Sequence, residues 1–96
     1  MVDMELESTP DFLAARERLN KSLIALDRNY TPGGVDKTSE AMENLITVIA
    51  KYDKSTAYYM AWSVYYGAVL AGVRRNTYVQ DKYLEIASRY GKVGMP

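Results

Sequence analysis

The commonest side chains able to do chemistry in this sequence are phenols. Nine tyrosines stand in a chain of 96 residues, eight of them at or after Tyr52. Two series recur at seven-residue spacing, Tyr58 with Tyr65, and Tyr52 with Tyr59 and Tyr66; Trp62 falls between them. Seven residues make nearly two turns of an α-helix, so each series draws a line along one helix side. A tyrosine serves as an acid or base only when its surroundings tune it to the task. The residues that most often assist are missing, because the chain has no histidine and no cysteine. This excludes disulfides, thiol nucleophiles, ligation of zinc or haem through Cys or His, and any triad with His as its base.

The other suggestive groupings have plainer explanations. Gly33-Gly34 follows a proline and lacks the Lys and Ser/Thr of a phosphate-binding loop. Glu40 and Glu43 form the one close acidic pair on a helix side, and negative charge near a helix N-terminus is favourable in itself. Acidic metal sites in bundles project their carboxylates inward, whereas the expected core positions here carry no acid. No catalytic residue, cofactor or metal is therefore expected. Arg74 and Arg75, followed by Tyr78 and then by Lys82 and Arg89, could form a basic patch with an aromatic member. That composition suits phosphate contacts and base stacking. Paired arginines at a helix C-terminus are equally what the helix dipole favours. A pI near 6.2 is not the footprint of a DNA-binding domain, so nucleic acid is not the expected partner.

The rings themselves carry the main expectation. One small domain has little room for ten large Tyr and Trp rings together with Phe12. Tyr and Trp suit interfaces because they bury a large area and keep a polar handle. Tyr58, Tyr59, Trp62, Tyr65 and Tyr66 are therefore expected in a protein–protein contact, first of all a self-contact.

Periodicity supplies the elements that must position them. Apolar residues at helical spacing predict an all-α, four-helix antiparallel up-and-down bundle, with helices near 10–30, 36–52, 55–74 and 77–90. Thr9-Pro10-Asp11 opens the first helix with a cap, a favoured proline and an acid at the positive end. Thr31-Pro32-Gly33-Gly34 ends it, and Asp36 is the expected cap of the second. The third segment, 56–73, carries no charge at all. Its small residues Ala57, Ala61, Val64, Ala68, Ala71 and Gly72 share one side, and its rings adjoin them. Ser63, Gly67, Leu70 and Arg74 form a thin strip suited to water. Such a helix is expected to be the innermost of the four. It reaches the lower limit of a membrane span, but its central tyrosines, serine and glycines make it weakly hydrophobic, and no membrane span is expected. Gly91 is a natural C-terminal stop. A third and fourth helix fused into one, kinked near Arg75, is the alternative.

The chain is read as one domain over 1–96, with an acidic N-terminal segment at 1–8 and a short tail at 91–96. The formal net charge is zero, but it is unevenly placed. Residues 1–53 hold six Lys/Arg against ten Asp/Glu, and residues 54–96 hold six against two. The simplest consequence is that the two halves attract each other. The acidic start has no apolar core of the export-signal kind, and a cytoplasmic location is expected. The expected function is that of a small non-enzymatic interaction module. It would self-associate as a homodimer through its aromatic side and bind a protein partner as an inhibitor, immunity or accessory protein, as in a phage or other mobile element. The alternatives are a nucleic-acid-associated accessory protein that uses the basic half, and a subunit of a larger, virion-like assembly. Small bundles of this size occur among immunity proteins, phage inhibitors and virion adaptor subunits, a likeness of class that carries no function.

Overall fold

Short turns decide the topology. In the computed structural model, which describes residues 9–90 and for Tyr90 only the backbone, four helices follow one another with three residues between each pair. They are α1 (Pro10–Arg28), α2 (Pro32–Ala50), α3 (Lys54–Val73) and α4 (Thr77–Tyr90). The expected acidic segment 1–8, the stop at Gly91 and the tail 91–96 lie outside the described residues. Three-residue turns force consecutive helices to reverse direction. The result is the expected all-α antiparallel bundle.

One boundary differs from expectation. α2 begins at Pro32, not near Asp36, because Thr31 is its cap. Thr31 is extended and its Oγ1 accepts a hydrogen bond from the Gly34 N–H at 2.9 Å. Pro32 then occupies the first helical position, where its missing N–H costs nothing. Gly34 is tightly packed there: a Cβ would lie 3.0 Å from Thr31 Oγ1 and 3.1 Å from Leu26 Cδ1. The Pro-Gly-Gly run is therefore a helix start, and Asp36 sits within the helix.

Asp53 caps α3. Its carboxylate accepts from the backbone N–H groups of Ser55 and Thr56 and from the Thr56 hydroxyl, the last at 2.7 Å. At the other end, Asn76 N–H donates to Ala71 C=O at 2.8 Å and Arg75 N–H to Gly72 C=O at 3.0 Å. This paired closure is a Schellman motif, and it separates α3 from α4 instead of kinking one long helix. It places Arg75 in the left-handed region, at φ 61°, a position usually held by glycine.

The core gathers on α2. Val35, Ala41, Leu45, Ile46, Val48 and Ile49 are buried there, and Ala15 of α1, Val64 of α3 and Ile86 of α4 close over them. α1 packs mainly on α2, α3 mainly on α4, and α2 joins the two hairpins. The innermost helix is thus α2, not α3 as its composition suggests. The molecule measures 40 × 29 × 15 Å, a slab with at most two helix layers in its thin direction. In such a slab α3 keeps a free side. Ile46 and Ile86 are among the largest fully buried side chains. No aromatic side chain of the described residues is fully buried.

Candidate protein interface

α3 has two seams on opposite sides. Ala57, Ala61, Val64, Ala68 and Ala71 follow spacings of four and three and are all buried. This is the small side expected from the sequence, and small side chains let the neighbouring backbones come close. Gly67 shares in that approach: a Cβ there would lie 3.1 Å from the Tyr83 ring of α4. Gly67 therefore belongs to the packed side and not to the water-facing strip, while Ser63, Leu70 and Arg74 are exposed as expected.

The second seam runs Tyr59, Trp62, Tyr66, Val69 and Val73, with spacings of three and four again. At 100° per residue it lies about half a turn from the first. It faces outward: Tyr59 is 70% exposed, Trp62 44%, Tyr66 64% and Val73 75%. No charged residue interrupts positions 55–73. The expected interface residues meet here. Trp62 is the hub, with ring centroids 6.2 Å from Tyr58, 5.5 Å from Tyr65 and 6.4 Å from Tyr66. The first two contacts are edge-on, the arrangement aromatic pairs favour. Tyr59 joins through Tyr58 at 6.1 Å. A groove of about 340 Å³ opens beside the hub, walled by Tyr58, Trp62 and Tyr65 of α3 and by Leu84 and Ala87 of α4.

Tyr52 does not extend the Tyr59–Tyr66 line. It lies in the turn before α3, and its hydroxyl donates to both carboxylate oxygens of Asp11, at 3.1 and 3.2 Å. Burial and the Asp11 carboxylate together hold its phenol above the ordinary tyrosine range. Val73 continues that line instead, seven residues after Tyr66. Val69, Leu70, Val73 and Leu84 were not among the expected interface residues. Val73 continues the period of Tyr59 and Tyr66, and Val69 lies seven residues after Trp62; Leu70 and Leu84 carry no such signal.

The expected basic patch divides: Tyr78 and Lys82 stay together, the Lys82 ammonium 5.6 Å from the Tyr78 ring centroid, while Arg89 and the pair Arg74 and Arg75 stand apart. Tyr78 donates to Asp36 Oδ1 of α2 at 2.6 Å, and Lys82 Nζ lies 3.3 Å from the same oxygen. The Tyr78 hydrogen bond, with Lys82 behind it, holds the Asp36 carboxyl below its usual range. Asp36 in turn raises both Tyr78 and Lys82. Arg89 pairs with Glu43 of α2 and, at 2.7 Å, with Glu85. These contacts run in the same order along α2 and α4, so the two helices are parallel, and the basic half meets the acidic half through them. Arg74 and Arg75 stand exposed in the α3–α4 turn. Among the described residues they make no ion pair.

No group of three Asp or Glu side chains among the described residues is placed to hold a metal ion, and no helix among them is long and apolar enough to cross a membrane. Comparison of the chain with known protein families, with curated proteins and with solved structures finds no match. What can be said of function rests on geometry.

Proposed function

We propose that this protein is a non-enzymatic interaction module of the cytoplasm that self-associates through the outward side of α3 and, in that form, binds a macromolecular partner. The observation that supports this most is the uncharged, ring-bearing seam left bare by the fold. At about 200 Å² per ring, the exposed parts of Tyr59, Trp62, Tyr65 and Tyr66 amount to roughly 450 Å². That already equals the largest patch of a typical monomer, about 300–600 Å². Val69, Leu70 and Val73 extend it toward the roughly 800 Å² that each partner buries in a standard interface. Leaving this area in water is unfavourable, and covering it with a second apolar surface recovers hydrophobic free energy.

The nucleic-acid reading draws on fewer groups. Lys82 and Arg89 are engaged by α2, which leaves Arg74 and Arg75, and two phosphate contacts give little affinity at physiological salt.

Sedimentation equilibrium of the wild type and of the Tyr59→Glu, Tyr66→Glu double variant tests the proposal. A wild-type dimer and a folded, monomeric variant are the expected results. A monomeric wild type at high micromolar concentration would overturn it.

A further inference from the structure

The outward seam is not uniform along its length, and the gradient selects a partner and an orientation. The N-terminal half carries the large rings Tyr59 and Trp62, and the C-terminal half carries the small aliphatic Val69, Leu70 and Val73. Tyr66 lies at the midpoint, seven residues from both Tyr59 and Val73 and four from both Trp62 and Leu70. The groove also lies in the ring-bearing half, beside Trp62, while the protruding aliphatic side chains lie in the other.

We propose that the occupant of this seam is α3 of a second copy, running antiparallel, with the two-fold axis at Tyr66. The inference rests on the self-association proposed above and adds its orientation and register. In this arrangement Tyr59 faces Val73 of the second copy, and Trp62 lies level with Leu70 of the second copy. The layers on either side of the axis then set a large side chain against a smaller one, the way facing helices fill space at native density, and the central layer sets Tyr66 on Tyr66. A parallel pair sets Trp62 on Trp62 and Tyr59 on Tyr59, which wedges the helices apart, and it leaves Val73 on Val73 with a gap. The antiparallel pair also opposes the helix dipoles favourably. The three-and-four spacing of the seam is that of knobs-into-holes packing, so the surface fits a helix. An isologous contact must be complementary to itself, and this seam is so in the layers on either side of Tyr66. Having no charge between 55 and 73, it sets no like charges against each other.

The absence of cysteine makes the test direct. Tyr59→Cys and Val73→Cys proteins are prepared separately, their masses are checked by sedimentation, and each is exposed to a short thiol crosslinker alone and after mixing in equal amounts. In the antiparallel register, residue 59 lies beside residue 73 of the other chain, while two copies of residue 59 stand about 21 Å apart along the axis at 1.5 Å per residue. The expected result is crosslinked dimer in the mixture, about half of the protein by random pairing, and almost none in either variant alone. Crosslinking of each variant with itself would show a parallel pair and overturn the register. A dimer that crosslinks in no arm would show that the contact uses another surface, which also overturns it. A wild-type and variant chain that are both monomeric would remove the self-association on which the register rests.

Discussion

α2 and α3 are nearly equal in length, at 19 and 20 residues, and they meet opposite fates. α2 carries Asp36, Lys37, Glu40 and Glu43 and is the most buried helix of the molecule. α3 carries one charge, at its first residue Lys54, and is bare along half its circumference. Average polarity would rank them the other way. What separates them is the size and placement of their side chains. The charges of α2 cluster on one edge, where Asp36 and Glu43 receive Lys82 and Arg89. The rest of α2 is aliphatic and of medium size, and these shapes interdigitate on three neighbours. α3 turns its alanines inward and leaves its rings outside. A close helix–helix approach has room for a methyl group but not for an indole. Burial in this fold therefore follows fit as much as hydrophobicity.

That contrast can be broken first at its strongest point. Ile46→Ala removes a fully buried side chain from α2 and should cost about 2–5 kcal/mol in denaturant unfolding. Tyr66→Ala should cost the folded monomer under about 0.5 kcal/mol, because its ring faces water in the single chain. Comparable losses at the two sites would mean that the ring belongs to the core.

Within α3 the same contrast sharpens. Ala61→Leu and Ala68→Leu enlarge side chains that are 1% and 0% exposed, and each should destabilise by about 1–3 kcal/mol through overpacking. Val69→Ala on the opposite seam should leave the monomer's unfolding midpoint in place and weaken association. Unchanged midpoints for both enlarged variants would mean that the helix is rotated.

Much of this was legible before any coordinates. The inward seam of α3 follows from the spacing of its small residues, and the exposed rings follow from their sheer number. Two features were not. The start of α2 was obscured because Pro32-Gly33-Gly34 looks like a turn, although Thr31-Pro32 repeats the Thr9-Pro10 signature that opens α1. The glycine there answers to the Leu26 side chain, a contact that local sequence does not display. The central place of α2 is hidden in the sequence because a helix apolar on all sides suggests the innermost one. Only the packing reveals that Gly67 and the alanines of α3 can use one side. The basic patch failed to assemble for a related reason: Tyr78, Lys82 and Arg89 have acids of α2 within reach, and sequence distance conceals that.

The turn between α3 and α4 offers a smaller test. Arg75 holds a left-handed conformation at φ 61°, which costs a residue with a side chain roughly 1–2 kcal/mol and glycine far less. Arg75→Gly should therefore raise the unfolding free energy by about 1 kcal/mol. Arg75→Ala keeps the strain and should not.

The weakest expected effect is that of pH. Asp36 and Asp53 have carboxyls held below their ordinary range, Asp36 first by the Tyr78 hydrogen bond and Asp53 first by that of Thr56. Their contribution is present above the unfolded-state value, near 3.9, and is lost as pH falls through the lower folded values. Tyr78 and Lys82 are shifted upward, so their contribution is present below their unfolded values and is lost as pH rises through the folded ones. With no histidine or cysteine in the chain, urea midpoints should stay flat between about pH 5 and pH 9 and decline on both sides. Asp36→Asn should make the acid decline shallower.

Trp62 reports on the central claim directly, because it is the chain's one tryptophan and stands 44% exposed at the hub of the outward seam. Its emission and its quenching by acrylamide are followed as the protein is concentrated from nanomolar to high micromolar. If the outward side of α3 is covered by a second copy, the emission shifts to shorter wavelength and quenching falls in step with the rise in mass. Emission that stays constant while the mass doubles would place the contact elsewhere and contradict the account.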